Sequence, residues 1–343
     1  MTDERICYRK VNIQNLLRSV SWKGKRVKIL ITGGAGFIGS HLAVKLAERY
    51  EVIALDNFDP YYDVKIKEES VKIICNKGAK FVFGDVTDYD FVLKIIKEND
   101  TEVIFHEAAR PGVRYSIKDP FLPNKVNVIG TLNILKASLD SNVKKVINAS
   151  SSSVYGKVEY LPFDENHPTQ PISPYGVSKL AAENYCRVFY EVYGLKTITL
   201  RYFTVYGPRM RPDLAIPIFT KSLLNNEQPI VFGDGEQTRD FTYIDDVIEA
   251  NLRLLNINEG YGEALNIGSG RRVTINYVID VLKNLVNSNI EPKYIEPIKG
   301  DVRDTLANIN KAKKIMGYEP KISLEEGLRK FVEWYKDNPS FYG

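Results

Sequence analysis

A doubly wound, parallel α/β sheet followed by a smaller α/β lobe is the fold this sequence predicts. Three observations carry the prediction. A short buried-type strand at residues 27–31 runs directly into a glycine-rich turn and a helix. A second strand, at residues 51–55, ends on an acidic side chain, Asp56. Strand and helix patterns then alternate to about residue 203, and such alternation favours parallel strands joined by crossover helices.

The elements follow in order. Residues 1–26 form a basic extension in which Ile13, Leu16, Leu17 and Val20 fall at helical spacing. Two readings stand: an amphipathic helix for a membrane surface or partner, or an extension docked on its own domain. After the first strand comes Thr32-Gly33-Gly34-Ala35-Gly36-Phe37-Ile38-Gly39, then a helix at residues 42–49. Gly33, Gly36 and Gly39 permit a tight turn and let backbone N–H groups approach a pyrophosphate at the helix N-terminus. Asp56 is placed to accept from both hydroxyls of a ribose and to repel a 2′-phosphate, which favours NAD over NADP. A third strand, at residues 81–86, ends in Asp85 and Val86, where an adenine would lie. The strand pattern at residues 103–109 closes on Ala108 and Ala109, small enough for a cofactor to pass close, and His106 within it is read as packing rather than as a base. A helix is expected at residues 127–140. A strand at residues 145–149 runs into Ser150-Ser151-Ser152-Ser153-Val154-Tyr155-Gly156.

Ligands of such sheets gather at the carboxyl ends of the strands. The next helix, from about residue 174 to about 193, carries Tyr175 and Lys179. Their i,i+4 spacing puts both on one face, and a nearby ammonium is expected to favour phenolate and lower the tyrosine pKa. A strand follows at residues 197–203, and the regular alternation then decays. The expected division is a dinucleotide-binding domain at 27–204 plus about 240–268. A substrate lobe is expected at about 205–239 plus 269–343.

Composition narrows the function. The chain has 343 residues, is 44% hydrophobic and 26% charged, and carries a net charge of only +4, which gives no footprint for nucleic acid. Cys7, Cys75 and Cys186 are scattered, and the histidines are only His41, His106 and His167. Neither a disulfide framework nor a metal site is expected. No apolar run is long enough to span a bilayer and no signal-peptide pattern opens the chain, so a cytoplasmic protein is expected.

Four motifs together resemble the extended short-chain dehydrogenase/reductase family of nucleotide-sugar epimerases and dehydratases, with its Rossmann-type domain. They are Thr-Gly-Gly-x-Gly-Phe-Ile-Gly at 32–39, Ser-Ser-x-x-Val-Tyr-Gly at 150–156, Tyr175-x-x-x-Lys179, and Arg239-Asp240-Phe241. The resemblance runs from about residue 28 to the C-terminus. It implies NAD as cofactor, contacted by Gly33, Gly36, Phe37, Ile38, Gly39, Asp56, Asn57, Asp85, Val86, Ala108, Ala109, Asn127, Tyr175 and Lys179. It implies Tyr175, Lys179 and Ser151 as catalytic. Dehydratases of the family have Asp-Glu before Val-Tyr-Gly, and decarboxylases resemble Ser-Glu there. Here the pair is Ser152-Ser153, which cannot act as acid or base, so an epimerase is implied.

Residues 56–63, 112–116, and 203–208 with Arg211-Pro212-Asp213 resemble UDP-glucuronate 4-epimerases in particular. UDP-glucose 4-epimerases usually have Asn where this chain has Thr204, and Arg110 stands where these families commonly have Gln. The implied substrate contacts are Ser151, Ser152, Ser153, Tyr175, Thr204, Arg211, Ile230, Phe232, Arg239 and Asp301. A homodimer, paired through the helix after Asn127 and the helix carrying Tyr175, is implied as well. A UDP-glucose or UDP-N-acetylglucosamine 4-epimerase is the alternative within the class, and a non-catalytic NAD sensor the alternative outside it.

Overall fold

The structure, a computed structural model, describes residues 27–297 and 302–342. The basic extension and Asp301 lie outside the described residues.

Seven parallel strands form the central sheet: β1 Lys28–Thr32, β2 Glu51–Asp56, β3 Lys80–Phe83, β4 Val103–His106, β5 Lys145–Ser151, β6 Thr197–Tyr202 and β11 Ala264–Ile267. Their spatial order is β11-β6-β5-β4-β1-β2-β3. Chain direction across the sheet reverses between β1 and β4, and such a switch point leaves a crevice at the strand ends. The central strands are apolar along their whole length because helices cover both faces. Ile29, Leu30 and Ile31 have no exposed surface.

The helices between the strands are α1 Phe37–Ala47, α2 Val64–Asn76, α3 Tyr89–Glu98, α4 Val113–Lys118, α5 Gly130–Leu139 and α6 Pro174–Tyr193. Helix α1 begins at Phe37, five residues earlier than expected. Its N-cap, Gly36, is extended, and Gly39 already lies within the helix. A Cβ on Gly39 would fall 2.2 Å from the carbonyl oxygen of Gly33. The glycine motif is therefore the first turn of the helix as well as the bend before it. Strand β3 stops at Phe83 rather than Val86, because the Asp85 carboxylate takes the Thr87 N–H at 2.8 Å and folds the chain into a turn. The helix expected from Asn127 is helical from Phe121, with a π-helical stretch at Asn124–Ile129 ahead of α5. The sequence reading assigned neither α2 nor α3. Each opens on an aspartate cap, Asp63 and Asp88, that accepts a backbone N–H of its first turn.

Three two-stranded sheets lie further along: β7 Thr204–Tyr206 with β10 Phe241–Tyr243, β9 Thr238–Arg239 with β12 Val273–Thr274, and β8 Ile230–Phe232 with β13 Lys293–Ile295. Helices α7 Ala215–Leu224, α8 Ile244–Arg253, α9 Ile275–Val286, α10 Asn310–Met316 and α11 Leu324–Asp337 complete the order. Among the described residues no helix is long and apolar enough to cross a membrane.

Behind the crevice, a buried ion pair locks β5, β6 and α6 together. The Arg201 fork meets Glu183 at 3.0 Å from Nε and 2.8 Å from Nη2. Ser150 donates to the same carboxylate. Arg201 also donates to the Tyr155 hydroxyl at 3.0 Å, which donates to Asn266 of β11 at 2.6 Å. A bidentate pair with its remaining lone pairs occupied is the arrangement in which buried charge is tolerated.

Candidate active site

A cavity of about 1030 Å³ opens at the carboxyl ends of the strands. Its wall takes Gly33, Gly36, Phe37, Ile38 and Gly39 from the turn after β1, and Asp56 and Asn57 from the end of β2. Gly84, Asp85 and Val86 follow β3; Glu107, Ala108, Ala109 and Arg110 follow β4; Ser150 and Ser151 end β5. The lining also takes Phe203, Thr204, Arg211, Ile230, Phe232 and Arg239 from later in the chain. Tyr175 and Lys179 line the same cavity. One cavity thus collects all but a few of the residues singled out in the sequence.

The turn side suits a dinucleotide. Gly33 has φ +67° and its Cα faces the backbone of Ala108 so closely that a Cβ would lie 2.7 Å from the Ala108 nitrogen. Only glycine permits that bend and that approach. Asp56 accepts from Ala35 N at 3.2 Å and Phe58 N at 2.8 Å and pairs with the buried ammonium of Lys67 at 3.3 Å. These contacts fix the carboxylate at the end of β2, on the cavity wall. Burial opposes ionisation of Asp85, but the Thr87 N–H and the Asn57 amide outweigh it and hold its carboxyl below the usual range. The donor set, two anchored carboxylates and a helix N-terminus, fits NAD.

On the chemical side, Ser173 caps α6 by accepting the Gly176 N–H, and Pro174 occupies the first turn. That cap sets Tyr175 at the mouth of the helix. Tyr175 is hydrogen bonded with Ser151 and feels the charge of Arg211. Burial nevertheless raises its pKa above the normal phenol value, and these two contacts offset it only in part. The expected lowering by Lys179 is thus not what the structure shows. Lys179 donates to the carbonyl of Ala149 at 2.9 Å. Its own pKa falls to about 8 because it is buried, with Glu107 and Glu183 opposing the fall. At neutral pH Lys179 still carries its charge, with its ammonium turned to the Ala149 carbonyl of β5.

Three of the residues singled out in the sequence, Ser152, Ser153 and Asn127, do not line the cavity. Ser152 and Ser153 form a short 3₁₀ turn off the cavity wall, where Ser153 N donates to Ser151 Oγ at 3.1 Å. Ser153 thereby supports Ser151. Asn127 is buried away from the cavity. Its side chain takes the N–H of Arg110 at 2.7 Å and donates to Arg110 O at 3.2 Å and to Ser178 at 2.8 Å. It holds the loop after β4 against α6. Arg239 lines the cavity and also donates to the carbonyls of Thr238 and Arg303, both at 2.9 Å. His106 packs as expected, between Thr32 at 2.7 Å and Thr131 at 3.0 Å.

The sequence reading missed Glu107. It lines the cavity, accepts from the Tyr202 hydroxyl at 3.0 Å, and burial pushes its carboxyl up to about 7. An acid at the end of a core strand, directly before the two alanines, was the available signal. Tyr61 lies inside the 56–63 stretch but was given no role of its own, and Lys67 sits in α2, a helix the sequence reading did not assign.

Fold and cavity wall together define a dinucleotide-dependent enzyme of the extended short-chain dehydrogenase/reductase class. The chain matches the family described as GDP-mannose 4,6 dehydratase over residues 30–331, and it belongs to that family. A putative UDP-glucose 4-epimerase of Methanocaldococcus jannaschii is 42% identical over 90% of this chain and 99% of its own. A UDP-glucuronate 4-epimerase of Thermodesulfobacterium geofontis is 39% identical, over 90% of this chain and 96% of its own. In three dimensions the chain is similar to the UDP-glucuronic acid 4-epimerase of Bacillus cereus, solved with UDP-glucuronic acid and NAD. There the TM-score is 0.86 at 35% identity, covering 91% of this chain and 99% of the other.

Proposed function

We propose that UDP-glucuronate is the sugar turned over by this NAD-dependent UDP-sugar 4-epimerase, an isomerase, and that UDP-galacturonate is the product. The observation that carries the reading is Arg211 beside Tyr175, with Thr204 lining the same cavity. Arg211 spends Nε and Nη2 on Asp213, at 3.0 and 3.2 Å. A guanidinium has five N–H donors, so its Nη1 end remains available to a second carboxylate.

Tyr175 takes the proton of the sugar's 4-hydroxyl, directly or through Ser151, and returns it after the sugar has turned over. Bound NAD supplies the hydride acceptor at carbon 4, and its positive charge favours the phenolate that this chain's own groups leave unfavoured. Lys179 holds the nicotinamide ribose. Oxidised at carbon 4, a uronate is a β-keto acid, which loses carbon dioxide easily. Arg211 and the Thr204 hydroxyl hold the carboxylate away from the geometry that permits loss. Neither Ser152 nor Ser153 offers the carboxyl group that a dehydration would need. Arg239 suits the pyrophosphate through its forked donors, and Asp301 is assigned to the nucleotide ribose by resemblance alone. The substrate lobe at about 205–239 plus 269–343 supplies most of these sugar-nucleotide contacts, and the remainder of the chain binds NAD.

Purified enzyme is to be assayed with UDP-glucuronate, UDP-glucose and UDP-N-acetylglucosamine. Turnover of the neutral sugars with none of the uronate would sink the proposed substrate. Tyr175→Phe should cut kcat by at least about 10²-fold, the scale of a lost general acid–base, while the protein still purifies with NAD.

A homodimer is also proposed. Phe121 is 83% exposed, and Ile117, Ile129, Val177, Tyr185 and Tyr193 are exposed around it on α4, α6 and the helical stretch between α4 and α5. An apolar group of this kind on adjoining helices marks a protein surface that is covered in solution.

A further inference from the structure

Six side chains from three separate segments form a continuous ladder along the cavity wall. Arg110, after β4, pairs with Asp59 of the loop that follows β2. Its guanidinium carbon lies 4.5 Å from the ring centre of Tyr61 and 4.1 Å from that of Tyr115. Those rings meet at 89°, 5.8 Å apart, so Arg110 fills the corner between them. Arg211 also packs on Tyr61, with its guanidinium carbon 5.2 Å from the same ring centre. The Tyr61 hydroxyl donates to Asp213 at 3.1 Å, and Asp213 holds the Arg211 fork. Gly112 closes the ladder from behind: at φ +105° a Cβ there would lie 2.5 Å from the Tyr61 hydroxyl oxygen. Arg110 is itself buried, and its Nε has no acceptor. What holds it is therefore Asp59 and the two ring faces, a geometry that suits arginine and neither lysine nor glutamine.

The ladder starts at the cofactor. Asp56 accepts from Phe58 N at 2.8 Å, Asn57 from Asp59 N at 2.9 Å, and Asp59 from Tyr61 N at 3.0 Å. Successive side-chain turns thus carry the loop from the end of β2 to Tyr61. Arginine side chains are flexible, and one that must read a carboxylate gains from being held in a single orientation.

We infer that Arg110 is a positioning residue: through Tyr61 and Asp213 it sets the direction of Arg211, and so sets how strongly the site prefers a sugar that carries a carboxylate. The inference rests on the uronate reading of Arg211. Removing Arg110 alone would also remove a positive charge from the cavity, so the test uses charge-neutral changes. These are Tyr61→Leu, and the double variant Arg110→Gln with Asp59→Asn. Each is made in Tyr175→Phe holoenzyme, which binds without turnover, and affinities for UDP-glucuronate and UDP-glucose are measured by calorimetry alongside NAD content.

The parent should prefer UDP-glucuronate. Both changes should reduce that preference about ten-fold, the effect of misplacing one charge-assisted contact, while UDP-glucose affinity moves by less than about three-fold. Tyr61→Phe keeps the ring and loses only the hydroxyl, so it should lie in between, and it decides the matter if either larger change fails to fold. An unchanged preference with NAD retained would overturn the ladder and leave the uronate reading standing. Equal weakening of both sugars would overturn it too, since that is what a merely structural role predicts. A parent with no preference for the uronate would overturn both readings.

Discussion

At the level of single residues, Tyr175 and Lys179 show what spacing can and cannot tell. The i,i+4 relation placed both side chains at one cavity. It did not tell which way Lys179 points, because that depends on the Ala149 carbonyl, which belongs to β5. Nor could it show Glu107, whose pKa of about 7 comes from burial beside Tyr202 and Lys179. Burial is a property of the assembled sheet. His106 gives a pH prediction at the same scale. Burial lowers its pKa from 6.5 to about 3, with the charge of Lys179 adding to the fall. The unfolded chain therefore binds a proton below pH 6.5 that the folded chain refuses until about pH 3. Stability should fall with acidification across that window, by about 1.4 kcal/mol per pH unit from this histidine once the unfolded ring is charged. Urea titrations at several pH values check this: His106→Gln should flatten the slope, and an unchanged slope would refute the assignment. Glu183→Gln should cost about 3–5 kcal/mol by urea unfolding, because it strands the buried Arg201 guanidinium.

At the level of elements, the glycine motif and the caps carry the argument. The motif was legible as a turn, but its last glycine lies one turn into α1 because the helix packs on the bend that precedes it. Gly39→Ala should therefore cost about 1–3 kcal/mol of stability through overpacking and lower the NAD retained on purification. Both are read from a urea curve and the absorbance of the released cofactor. Ser173→Ala removes the cap of α6 and should cost about 1 kcal/mol. A larger loss in kcat than in stability would show that the cap also aims Tyr175. Helices α2 and α3 went unassigned although their pattern is legible: Val92, Ile95 and Ile96 in α3, and Ile66, Ser70, Val71 and Ile74 in α2, are buried at helical spacing.

At the level of the whole molecule, the parallel sheet was readable from alternation alone, since no other arrangement buries both faces of so many apolar strands. The small paired strands after β6 were not. Each is two or three residues long, too short for a pattern of period two to register, and each finds its partner far along the chain. The proposed dimer belongs to this scale too. Phe121→Asp should shift the protein toward monomer in sedimentation velocity, and a monomeric wild type would refute the interface.

The strand that completes the sheet has a consequence for how the protein is made. β11 pairs with β6, yet residues 203–263 separate them. On a ribosome, the edge of β6 stays bare while that intervening stretch is being translated. The Tyr155–Asn266 bond that closes the polar network behind the serines cannot form until then. A nascent chain arrested near residue 260 should thus expose an apolar strand edge open to other chains.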